Sequence, residues 1–192
     1  MKIESDKFSE KYRKYVIEIK INNNQLYAIW GTNILNPDFD YLVTNNSANI
    51  ICAFSIDDLK AYFINNTLKI IDEENFKKWI LTHRKNCPYT TYDLDSIRNT
   101  LNKSEFSLKQ TSNSRLDEIR RFIILFSDYI NQIKNKNFAK ILKSAEVDIF
   151  LFGNESDLFS KNTYKINSIR LKLQVLKMID FLNKRLFVIN IT

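Results

Sequence analysis

Glycine, proline, cysteine and histidine are nearly missing from this 192-residue chain, at two, two, two and one. Phosphate-binding loops and dinucleotide fingerprints need clustered glycines where backbone approaches a phosphate, and Gly31 and Gly153 stand alone. Scarce Gly and Pro also exclude collagen-like and turn-rich β architectures. Cys52 and Cys87 sit in unlike contexts, which excludes a disulfide scaffold, and two unpaired thiols fit a reducing compartment. With one histidine and no CxxC or HxxxH spacing, a metal site lacks donors, and no cofactor is expected. Long apolar runs are missing too. Phe122-Ile123-Ile124-Leu125-Phe126 falls far short of the ~20 residues that span a bilayer. Met1-Lys2-Ile3-Glu4-Ser5-Asp6 continues into charge where a signal peptide has its apolar core. The expectation is a cytoplasmic protein with no membrane contact.

What the chain does have is core. Its composition is 44% hydrophobic and 13% aromatic, which excludes disorder over the whole length. A chain of this size buries roughly 70% of its unfolded surface and needs no staples. The net charge of +7 invites a polyanion partner. Lys, Asn, Ile, Phe and Tyr are abundant, however, and Lys outnumbers Arg, the pattern that AT-rich coding produces. Arg is the residue suited to bidentate phosphate and guanine contacts.

The first part carries the strand period. Tyr15, Ile17, Ile19 and Ile21 alternate with Val16, Glu18 and Lys20, predicting one buried face. Asn22-Asn23-Asn24 suits a tight reversal, and residues 14–30 read as a hairpin. Tyr41-Leu42-Val43 and Asn49 to Phe54 flank Asn45-Asn46-Ser47 as a second hairpin over 41–54. From Ser55 the period turns helical, with Ser55-Ile56-Asp57-Asp58 as a capping-box variant. Asp72-Glu73-Glu74 opens a helix carrying Phe76, Trp79, Ile80 and His83. A short helix follows through Leu94, Ile97 and Leu101. Two long helices are predicted near 114–135, on Leu116, Ile119, Ile123, Phe126, Ile130 and Ile133, and near 163–184, on Ile166, Ile169, Leu173 and Leu176. Residues 147–152 fit a strand or a helix, and 186–191 a final strand. The reading is α+β: an N-terminal antiparallel sheet packed with several helices, in a single domain over 1–192.

Candidate chemistry is thin. His83 is the one histidine, four residues after Trp79 and four before Cys87. A Cys–His pair needs hydrogen-bond reach and an orienting third group, and His83 reads as a core residue. Glu18-Ile19-Lys20 has the E-x-K form of restriction-type nucleases, but the upstream aspartate, Asp6, lies in no strand pattern. Glu18 and Lys20 read as solvated charges on a polar strand face. No catalytic residue is assigned, and the protein is expected not to be an enzyme.

Charge is distributed unevenly. Between residues 38 and 74, Asp38, Asp40, Asp57, Asp58, Asp72, Glu73 and Glu74 face only Lys60 and Lys69. The last long helix reverses this, with Lys165, Arg170, Lys172 and Lys177 among its cations. Complementary charge steers encounter with a charged protein. Asp38, Asp40, Asp57 and Asp58 are therefore the candidate partner-binding residues, and Lys165, Arg170, Lys172 and Lys177 the alternative basic surface.

The segment Asn49-Ile50-Ile51-Cys52-Ala53-Phe54-Ser55-Ile56-Asp57-Asp58-Leu59-Lys60-Ala61-Tyr62-Phe63 is a strand running into a serine-capped helix. It resembles segments of small immunity proteins from bacterial contact-dependent growth inhibition and related polymorphic toxin systems. The resemblance implies a non-enzymatic protein that neutralises a cognate toxin domain by binding it. It transfers no site residue, because such proteins share no contact motif. The net basic charge departs from many nuclease-neutralising members. The alternative class is a nucleic-acid-binding accessory protein using the basic C-terminal helix, distinguishable by a steep log-linear salt response.

Overall fold

Residues 14–54 carry the strand period and residues 94–182 the helical one, and the backbone groups into two units. In the computed structural model residues 9–66, 70–83, 87–103, 106–153 and 167–189 are described. One unit is Met1–Tyr92 with Arg185–Thr192, the other Asp93–Lys184. The first contains β1 (Lys14–Ile21), β2 (Asn24–Asn33), β3 (Asn36–Leu42), β4 (Ile50–Cys52), α1 (Ile56–Asn65), α2 (Glu73–Thr82) and β5 (Thr90–Asp93), whose last residue opens the second unit. The second contains α3 (Leu94–Leu101), α4 (Asn113–Ile133), α5 (Lys136–Leu142), α6 (Ala145–Phe152) and α7 (Ser168–Asn183). β6 (Leu186–Val188) returns to the first. The class is mixed α and β, as the sequence pattern predicts.

The first hairpin forms as predicted, with β1 and β2 antiparallel from Lys14↔Gly31 to Ile21↔Asn24. Its turn uses Asn22 and Asn23 at φ 52° and 61°, the left-handed region that asparagine tolerates. β3 and β5 extend the sheet to the order β3-β2-β1-β5. The second reversal exists as a Thr44↔Ile50 bridge and an Asn45 N–H to Asn49 O bond of 2.9 Å. Its arms also meet through the Ile51 N–H to Val43 O bond of 3.1 Å, and each has a second neighbour: β3 pairs with β2, and β4 lies parallel to β6. A parallel partner must come from far along the chain.

β1 is not half-exposed as expected. Val16 and Glu18 are buried along with Tyr15, Ile17, Ile19 and Ile21. Val16, Ile29, Tyr41 and Ile51 pack with Ile56, Leu59 and Phe63 of α1 and with Phe76, Trp79 and Ile80 of α2. The α1 cap is as read: Asp58 N–H donates to Ser55 Oγ at 3.0 Å, and Ser55 Oγ donates to Asp58 Oδ2 at 2.7 Å.

In the second unit, α4 buries Leu116, Ile119, Ile123, Phe126 and Ile130 of the predicted stripe, and Ile133 at its end is half-buried. α7 turns a different face inward. Leu171, Val175, Met178, Ile179 and Leu182 are buried, whereas Ile169 and Leu173 are 70% and 52% exposed. The first residues of the predicted span 163–184, including Ile166 and Lys165, lie outside the described residues. Residues 147–152 are helical, with Val147 and Phe150 inside. The final strand is described over 186–188, and 190–192 lie outside the described residues.

Candidate partner-binding surface

Lys14, Gly31 and Tyr41 lie in one row across β1, β2 and β3. Gly31 is where the row needs a missing side chain. A Cβ there would stand 2.5 Å from Lys14 Cδ and 2.8 Å from Arg13 O. The lysine stem therefore crosses β2 over the glycine and brings Nζ within 5.4 Å of the Tyr41 ring centroid.

Beyond that row waits Asp72, just ahead of α2. Lys14 Nζ donates to Thr32 O at 2.7 Å, Asp72 Oδ2 at 2.9 Å and Tyr12 O at 3.2 Å, which uses its three N–H groups. Tyr41 OH donates to Asp72 Oδ1 at 2.8 Å. Ile34 N–H and Asn75 Nδ2 donate to Asp72 Oδ2 at 3.2 and 3.3 Å. Asp72 sits at φ 51°, ψ 48°, a left-handed conformation that its own side-chain bonds hold in place. Both charges are buried, at 0% and 2% side-chain exposure. Taking them out of water costs several kcal/mol per ion, and the full set of hydrogen bonds offsets that cost. Burial pulls the Lys14 pKa below its ordinary value against the pull of Asp72. Burial, then the Asp72 contact, pushes the Tyr41 phenol up.

The outer end of this network is a surface. The Asp72–Ile34 bond pins the turn between β2 and β3 beside the first turn of α2. Leu35 projects there at 85% exposure and Ile34 at 43%. They border a depression of about 390 Å³ with Asp72, Glu73, Glu74, Asn75 and Lys78. Isolated exposed apolar residues are ordinary. Two in succession, on a turn braced from below and edged by carboxylates, have the form of an apolar anchor with a charged rim.

The sequence candidates fall as follows. Asp38 is exposed on β3, an edge strand. Asp40 is half-buried, with Oδ1 shielded and without a hydrogen bond, and its charge acts on Lys14. Asp57 is 75% exposed, 3.8 Å from Lys60, and Asp58 is engaged in the α1 cap. On α7, Arg170 pairs with Glu146 at 3.3 Å, Lys172 is half-buried and Lys177 is exposed. The structure brings neither Asp57 nor Asp58 into the depression beside Leu35, whose rim is Glu73 and Glu74. Lys14 escaped the sequence reading because a strand lysine ordinarily marks a solvated face.

The other candidates settle into the fold. Glu18 accepts from Thr91 Oγ1 at 2.5 Å and from Gln25 Nε2, so it bonds across β1 rather than facing solvent. His83 caps α2, and its ring meets that of Trp79 at 4.8 Å between centroids, tilted by 51°. Cys52 is buried, which pushes its thiol up to about 12, and Cys87 is exposed. Among the described residues no three His, Cys, Asp or Glu side chains cluster to hold a metal, and no helix is long and apolar enough to cross a membrane.

No family model matches the chain. No curated protein matches it. One solved structure with the same fold is a crystal structure of the SatS C-terminal domain in complex with bromine. The two share 14% identity at a TM-score of 0.65, over 95% of this chain and 97% of that one. At that identity the likeness shows the fold alone.

Proposed function

We propose that this chain is a non-enzymatic cytoplasmic binding protein that blocks a cognate bacterial toxin domain, in the manner of immunity proteins. The observation that carries the reading is the braced Ile34–Leu35 turn beside Glu73 and Glu74. An inhibitor that works by occlusion needs a rigid apolar anchor, because ordering a loose loop on binding consumes affinity. The ion pair beneath the turn removes that cost in advance. The carboxylate rim of Glu73 and Glu74 favours a basic partner and raises the association rate more than the affinity.

The test is protection of cells that carry the toxin gene from a neighbouring reading frame. Leu35→Asp should abolish protection and leave the unfolding midpoint unchanged. Glu73→Gln with Glu74→Gln should slow association and flatten its salt dependence, with little change in dissociation. Full protection by Leu35→Asp would remove this surface from the interface.

A further inference from the structure

We propose that the second unit carries a nucleic-acid surface, on which the exposed lysines of α5 and of the C-terminal half of α7 hold the phosphodiester backbone of a duplex without reading its sequence. The surface uses this unit alone and does not depend on the Ile34–Leu35 turn.

Between Asp128 and Glu146 the chain has four lysines, Lys134, Lys136, Lys140 and Lys143, and no carboxylate. All four are exposed. Lys136 and Lys140 of α5 and its C-cap Lys143 follow at i, i+4 and i+7, so they share one face. Phe138, Ile141 and Leu142 lie on the other side and are half-buried.

Three contacts lay this run along α7. The Phe138 and Phe181 rings meet at 4.5 Å between centroids, Gln174 Nε2 donates to Ser144 Oγ at 3.0 Å, and Arg170 pairs with Glu146 at 3.3 Å. One set of numbers rises as the other falls, so α5 and α6 run antiparallel to α7. Lys177 and Lys184, one turn to either side of Phe181, are thereby set alongside α5, and both are exposed.

An AT-rich composition accounts for abundant lysine. It does not account for carboxylates being kept away from the surface these lysines share. Elsewhere in this unit cations are matched: Arg98 with Asp180 at 2.8 Å, Arg115 with Glu118 at 2.6 Å and Arg120 with Asp117 at 2.9 Å. None of the six lysines makes an ion pair among the described residues. Asp180, which lies between Lys177 and Lys184 in α7, is already held by Arg98. Like charges gathered this way repel one another until a polyanion neutralises them.

The chemistry of the surface selects the polyanion. Lysine is a compact point charge that suits phosphate, whereas arginine forks read base edges, and the cluster holds no arginine. Protein interfaces are depleted of lysine and centre on an aromatic or arginine anchor. An anionic membrane is bound by a helix that also inserts apolar side chains, and the lysine face of α5 carries none. Single strands stack their bases on open aromatic rings, but Phe138 and Phe181 are half-buried against each other. The duplex backbone is the partner that needs cations alone.

The test is fluorescence anisotropy of the full chain with labelled DNA and RNA duplexes of mixed sequence, a matching single strand, and vesicles of anionic phospholipid. Four to six engaged lysines should make log K on DNA fall with log salt at a slope of about −3.6 to −5.4. Lys136→Gln, Lys140→Gln and Lys143→Gln together should lower that slope by about 2.7 and weaken binding about 10²–10³-fold near 0.1 M salt. All three side chains are exposed, so far-UV circular dichroism should not change. Lys11→Gln, Lys60→Gln and Lys77→Gln remove the same net charge from the first unit and should leave the slope in place. Saturable binding of either duplex supports the surface, and the tighter one names the nucleic acid. No saturable duplex binding at low salt, an equal loss in the first-unit variant, or tighter binding to the single strand or the vesicles overturns the proposal.

Discussion

Lys14→Met is the sharpest probe of the buried network. Methionine keeps most of the stem that crosses Gly31 and deletes three donors. Thr32 O loses its 2.7 Å bond, and Asp72 is left charged at 2% exposure without its cation. Removing one member of a buried pair costs about 3–5 kcal/mol. Asp72 would keep its bonds from Tyr41, Ile34 and Asn75, which places the expected loss near the lower end, about 3 kcal/mol. Urea unfolding followed by tryptophan fluorescence isolates the effect, since both tryptophans, Trp30 and Trp79, lie in the first unit. Asp72→Asn in the Lys14→Met background should cost little more, because the stranded charge is gone, giving a coupling of at least about 1 kcal/mol. The Ile34 amide should exchange faster with solvent in either variant. A loss below about 1 kcal/mol for Lys14→Met, or strict additivity with Asp72→Asn, would refute the view that this pair braces the turn.

Gly31→Ala should destabilise the same unit by about 1–3 kcal/mol through overpacking against Lys14 Cδ and Arg13 O. An unchanged midpoint would mean the lysine stem does not occupy that path. In the second unit, Ile123→Ala should cost about 2–5 kcal/mol by far-UV circular dichroism, since Ile123 is fully buried. A cost under about 1 kcal/mol would place that face in solvent. A thiol reagent at mildly alkaline pH should label Cys87 and spare Cys52 until the protein unfolds, because burial holds the Cys52 thiol up to about 12. The same raised values make stability fall in alkali. Cys52, Tyr41 and Tyr15 keep their protons in the folded state while the unfolded chain releases them from about pH 8.5 (thiol) and 10 (phenols) upward. Their contribution is complete below those values and is lost as pH rises through the folded ones. Lys14, lowered by burial, opposes this trend. Stability that increased between pH 9 and 11 would contradict the three raised groups.

What the sequence determined by itself is what local period and local chemistry decide. The alternation from Tyr15 to Ile21, the Asn22–Asn23 turn, the Ser55 cap and the α4 stripe each depend on neighbours within a few residues. The apolar run and the Ser55 cap over Asn49–Phe63 likewise mark a real strand and a real capped helix. Tertiary structure decided everything that depends on what packs against an element. The arms of the second reversal meet across Val43–Thr44 and Ile50–Ile51, but the parallel pairing of β4 with β6 was not legible, because a strand does not specify its second partner. α7 has apolar residues around much of its circumference, Ile169 and Leu173 as well as Leu171, Val175 and Met178, and two faces satisfy the helical period. Residues 147–152 are apolar in nearly every direction, so their neighbours settle the helix. The division into two units left no Pro, Gly or Ser linker in the sequence to mark it. Lys14 and Asp72 are 58 residues apart and look solvated in one dimension. Whether a charge is bathed in water or sealed beneath a turn is set by the surfaces that close over it, and a linear pattern does not contain those surfaces.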